Sequence, residues 1–107
     1  MDCKVIISPR AIQDLQEIVR YISFDNPEAA VRMGERLIDA AVSLTTFPEM
    51  GRLVPEMGDG VTRELIVRPY RVIYRFDSAT NAVLVSRFWH GARLLSPDDP
   101  LFRGSDS

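Results

Sequence analysis

Apolar side chains at Ile12, Leu15, Ile18, Val19 and Ile22 recur every three or four positions, with Gln13, Asp14, Gln16, Glu17 and Arg20 between them. That period predicts an amphipathic helix with one face toward a core. Ser8-Pro9 starts it, because serine caps a helix N-terminus and proline fits the first turn. The helix is expected to stop near Phe24, where Asn26-Pro27-Glu28 repeats the start signal. A second stripe comes next: Ala30, Met33, Leu37, Ala41 and Leu44, widened by Ile38 and Ala40 and ended by Phe47-Pro48. Two capped helices with so short a connection must fold back as an antiparallel hairpin.

The period then changes from helical to alternating. Three β-rich runs, Thr62–Arg68, Tyr70–Phe76 and Ala82–Trp89, are separated by Pro69 and by the turn Asp77-Ser78-Ala79-Thr80-Asn81. Short links imply antiparallel neighbours. Alternation puts Tyr70, Val72, Tyr74 and Phe76 on one face, expected to meet the helices, and Arg71, Ile73 and Arg75 on the other, expected to be open. Val83, Val85 and Arg87 are expected to share a side. Trp89 would continue that side, so a core Trp89 beside a solvated Arg87 predicts a distortion near Phe88. A short β run, Cys3 to Ile7, precedes the first helix. Residues 48–60, PEMGRLVPEMGDG, are expected to be a loop whose methionines cover a core edge. The order β-α-α-β-β-β predicts an α+β fold, a helical hairpin packed on a small twisted antiparallel sheet.

Length and composition narrow the class. With 107 residues, 46% hydrophobic, the chain is one domain with enough core to need no staples. Its one cysteine, Cys3, allows no internal disulfide and suits a reducing compartment. The N-terminus lacks the pattern of a signal peptide, and no apolar run approaches the roughly 20 residues of a spanning helix. A soluble, cytoplasmic domain without membrane attachment is expected. The net charge of −2 hides a split. Residues 63–93 hold six arginines (Arg63, Arg68, Arg71, Arg75, Arg87, Arg93) against Glu64 and Asp77, a balance of +4. An arginine cluster inside an acidic chain points to an acidic partner, although each arginine alone could simply cover a solvent-facing pleat.

Reactive groups are few. The only histidine, His90, and the only tryptophan, Trp89, adjoin in RFWHGAR, residues 87–93. His90 alone reads either as a structural hydrogen-bonder at a strand end or as a general base kept neutral by nearby arginines. There is no clustered His/Cys/Asp spacing for a metal and no glycine-rich phosphate loop, so no metal or cofactor is expected.

Several stretches together are similar to the RelE/ParE superfamily of toxins from bacterial type II toxin–antitoxin systems: "SPRAIQDLQEIVRYI", "NPEAAVRMGERLIDA", "FPEMGR", "RELIVRPYRVIYRF" and "VLVSRFWHGAR". The match runs from about Val5 to Arg93, which marks residues 1–93 as the toxin domain and 94–107 as a tail. The resemblance implies the RelE/ParE fold and a cognate antitoxin, ParD-like or similar, held in a hetero-oligomer. RelE-like members cleave messenger RNA on the ribosome. Carried over to this chain, that chemistry would use Arg63, Arg71 and either Arg87 or Arg93 on phosphates and His90 as base. Many such nucleases place a tyrosine near the chain end, and no tyrosine comes after Tyr74 here. ParE-like members share the opening, the loop after the second helix and the His-Gly-Ala-Arg ending, and poison DNA gyrase without being nucleases. The ParE-like reading is therefore favoured, with the four arginines meeting an acidic partner. Ribosome-dependent mRNA cleavage and an inactive toxin-fold binding module stand as alternatives.

Overall fold

The computed structural model describes residues 2–92; Arg93 and the tail lie outside the described residues. Strand β1 (Lys4–Ile7) leads into helices α1 (Pro9–Ser23) and α2 (Pro27–Ser43), then β2 (Arg52–Leu53), β3 (Thr62–Val67), β4 (Tyr70–Asp77) and β5 (Ala82–His90). Both caps form as the sequence dictates. The Ser8 hydroxyl accepts from the Ala11 amide at 3.1 Å, and Asn26 Oδ1 from the Ala29 amide at 3.0 Å. No helix among the described residues is long and apolar enough to cross a membrane.

The α+β layering agrees with the sequence, but the sheet is mixed. Its order is β1-β5-β4-β3-β2, and β1 runs parallel to β5, with Lys4 opposite Ala82 and Ile7 opposite Val85. The expected all-antiparallel sheet is corrected at that edge. The two helices between β1 and the later strands are the long crossover that a parallel pair requires. Arg52 and Leu53, assigned to the loop from sequence, add a short strand antiparallel to β3.

One core lies between sheet and helices, built on Leu37, Ala41 and Leu44 of α2, Ala11 of α1, and Val72, Tyr74, Val83, Val85 and Phe88 of the sheet. Ile12 points outward instead of joining the stripe, while Ala11 and Asp14 are buried. The far face of the sheet is not open. The 48–61 segment folds over it, and Val54 packs with Ile73 and Trp89, with half-buried Met57 at their side. Met50, by contrast, is exposed.

Between Ile73 and Tyr74 the β4–β5 register steps from Ile73 opposite Arg87 to Tyr74 opposite Val85, so Ser86 has no opposite number. This bulge lies two residues before the expected position near Phe88. It reverses the alternation: Val83, Val85 and then Phe88 face the helices, and Trp89 joins the second cluster on the far face. Arg87, next to the bulge, reaches Asp14 of α1 with its side chain. Trp89 is buried and His90 exposed, as the sequence suggested.

Gly51 shows how tightly the covering segment sits. An added Cβ there would fall 2.6 Å from the Glu64 carbonyl oxygen and 2.7 Å from Tyr74 Oη. Its amide donates to that hydroxyl at 2.9 Å. Burial raises the Tyr74 pKa first of all, against the lowering influence of the Gly51 amide and of Arg63, so the phenol stays neutral.

Candidate functional site

The arginines expected on an open face are mostly drawn inward. Arg87 is 2% exposed and Arg71 6% exposed. Arg87 Nε donates to Asp14 Oδ2 at 2.6 Å and Nη2 to Asp14 Oδ1 at 2.9 Å, while the Phe88 amide donates to the same Oδ2 at 3.2 Å. The Arg87 guanidinium also lies 4.8 Å from the centroid of the Trp89 ring, a cation–π contact. The sequence signal for Asp14 was a carboxylate between apolar helical positions, one turn from Ser8-Pro9. Periodicity alone placed it on the solvent side.

Arg71 Nη1 donates to Glu64 Oε1 at 3.0 Å and to Glu56 Oε2 at 3.1 Å, and Arg52 closes on the second Glu64 oxygen. Glu64 is buried, so its charge must be matched where it stands. Arg63 is half-buried: its Nη1 donates to the Gly51 carbonyl at 2.8 Å, and its Nη2 lies 3.7 Å from the Glu49 carboxylate. Arg75 Nε donates to the Thr62 hydroxyl at 3.2 Å.

Three of the four arginines singled out from sequence are thus internal structural partners in whole or part. The expectation that they line an open side is corrected, because a carboxylate supplied by α1, β3 or the covering loop meets each one. Arg93, the fourth, lies outside the described residues. Among the described residues no group of three or more His, Cys, Asp or Glu side chains could hold a metal ion.

His90 remains accessible at the end of β5. Its Nδ1 accepts from the Ala92 amide at 3.1 Å, so in the neutral ring Nε2 carries the hydrogen. Its ring meets Tyr70 edge-on, centroids 5.4 Å apart at 81°. In this arrangement His90 presents a hydrogen-bond donor, whereas a general base would need a free lone pair there.

Residues 5–95 match the family model of the ParE toxin of type II toxin–antitoxin systems, parDE. The chain belongs to the ParE toxin family. It is a toxin of the RelE/ParE superfamily. Toxin RelE2 of Caulobacter vibrioides is 43% identical over 91 residues, covering 85% of this chain and 98% of that protein. The chromosomal ParDE toxin–antitoxin system of P. aeruginosa contains a chain of like fold, with a TM-score of 0.67 at 19% identity over 82% of this chain and 95% of that one. The toxin–antitoxin complex RelBE2 of Mycobacterium tuberculosis contains another, with a TM-score of 0.64 at 22% identity over 84% and 99%. At such identities these two structures speak for the shared fold alone.

Proposed function

We propose that this ParE-family toxin acts in the cytoplasm by binding DNA gyrase, without cutting RNA, and that a cognate antitoxin neutralises it in a hetero-oligomer. The observation that carries the reading is the burial of Arg71 and Arg87 in ion pairs with Glu64 and Asp14. A nuclease of this fold needs cations free to hold phosphates, and here two of the four candidates are neutralised inside the protein. The donor state of His90 supports the same reading. The antitoxin is inferred from the family match and from the names of the like-folded complexes, RelBE2 and ParDE. Its acidic groups would meet the exposed Arg52 and half-buried Arg63 at the rim of the covered face.

A second reading, ribosome-dependent mRNA cleavage, is favoured by the name of the relative RelE2 and by the accessibility of His90. On that reading Arg63 and Arg93 would hold phosphates and His90 would move the proton. Purified toxin mixed with gyrase, ATP and supercoiled plasmid separates the two. Linear DNA that accumulates with toxin and disappears when antitoxin is added supports the gyrase reading. Plasmid processed as in the toxin-free control contradicts it.

A further inference from the structure

On the flank away from the Arg71 network, a cleft of about 420 Å³ opens between α1 and the ends of β4 and β5. One stripe of α1 forms a wall: Arg10, Asp14, Glu17 and Tyr21 recur at spacings of three and four residues, spanning about 16 Å of helix. The opposite wall is Tyr70, Phe88 and His90. The volume lies in the range of small-molecule sites, about 300–1,000 Å³.

Three features restrict what could enter. First, the surfaces are aromatic. Tyr21 is 75% exposed, and His90 is held against Tyr70 with its outer nitrogen carrying a hydrogen. Second, the charges cancel. Arg10 and Arg87 face Asp14 and Glu17, so neither an anion nor a cation is favoured as such. Third, donors and an acceptor are both on offer. Burial, and then the nearby Tyr21 phenol, raise the Tyr70 pKa and keep its hydroxyl a donor. Asp14 is occupied by Arg87, with Arg10 3.6 Å away, whereas Glu17 is exposed and makes no ion pair among the described residues.

A neutral planar heterocycle with both donors and acceptors meets all three restrictions. We propose that this cleft binds an unstacked guanine base, stacked on Tyr21 with its N1–H and N2–H₂ donated to the Glu17 carboxylate. Its O6 and N7 acceptors then face the donors of Arg10, Tyr70 and His90. Adenine fits less well, since it sets the N1 lone pair against the carboxylate. The cleft does not use the Arg71–Glu64 network, and the inference holds whether or not gyrase is the target. The base could come from a free nucleoside or nucleotide, or from an unpaired guanine in a strand.

The test is a titration of the full-length toxin with guanosine, adenosine, GMP, AMP, and six-residue single strands carrying one central guanine or adenine among thymines. The ring protons of His90, the only histidine, are the NMR reporter. Guanosine is expected to bind about tenfold more tightly than adenosine, one well-made polar interaction's worth of discrimination. Glu17→Gln should bring the two within about twofold, and Tyr21→Ala should weaken both by about tenfold, as loss of one stacking partner does. Binding of the guanine strand at least as tight as GMP identifies a strand as the source, and tighter binding of GMP identifies the nucleotide; either supports the inference. His90 signals unmoved by millimolar guanosine, equal binding of guanosine and adenosine, or a preference unchanged by Glu17→Gln would overturn it.

Discussion

Arg87 and Asp14, 73 positions apart, form a two-pronged ion pair that fastens the last strand to the first helix. Both side chains are almost wholly buried. Planar guanidinium and carboxylate match each other bidentately, and the Phe88 amide takes up further acceptor capacity of Asp14. Removing either partner leaves the other charged in a dry place.

Asp14→Ala and Arg87→Ala are therefore each expected to cost about 3–5 kcal/mol of stability. The double replacement Asp14→Leu with Arg87→Met should cost far less than the sum, because no buried charge remains. Urea unfolding of the four proteins measures this. Additive losses would show that the pair does not act as a unit.

Trp89 and His90 separate packing from surface function. Trp89 lies between Ile73 and Val54 under the covering loop, so Trp89→Ala should cost about 3 kcal/mol and lower toxicity only in step with unfolding. His90→Ala should leave the melting temperature nearly unchanged, since the side chain is exposed and its one hydrogen bond is local. A stable yet harmless Trp89→Ala protein would reverse these roles.

Asp59 gives the covering loop a dependence on pH. Burial pushes its pKa up, but hydrogen bonds from the Thr62 hydroxyl and the Thr62 and Val61 amides, helped by Arg75, outweigh burial and hold it below the usual aspartate range. A carboxyl depressed in the folded state adds stability that is present at neutral pH. That stability is lost as pH falls from the ordinary aspartate pKa through the folded one. Asp59→Asn should thus be less stable than the wild type at pH 7, with the gap closing in acid. Thermal melts across pH check it, and a gap constant down to the acid limit contradicts it.

The helices were legible because their signals are local: Ser8 and Asn26 each cap an amide only three residues further along the chain. Buried arginines were not, because charge alone says nothing of a distant partner. Arg87 meets its carboxylate on the first helix, and Arg71 meets Glu64 and Glu56 on a strand and a loop. Alternation foresaw that Trp89 required an irregular strand but could not locate the bulge at Ser86, which only the pairing with β4 defines. The same bulge brings Phe88 to the helical core and Trp89 to the far cluster. The parallel pairing of β1 with β5 joins the two ends of the domain and has no local signature at all. The α1 cleft has no signature in the sequence, because Glu17 reads as part of an ordinary solvated helix face.

The most direct test of how this toxin acts is a map of transcript ends after the purified protein is added to translating ribosomes. With Arg71 and Arg87 committed to internal carboxylates and His90 presenting a donor, the same ends are predicted with and without toxin. Codon-positioned cuts that appear with the wild type and vanish with a folded His90→Ala protein would contradict that prediction.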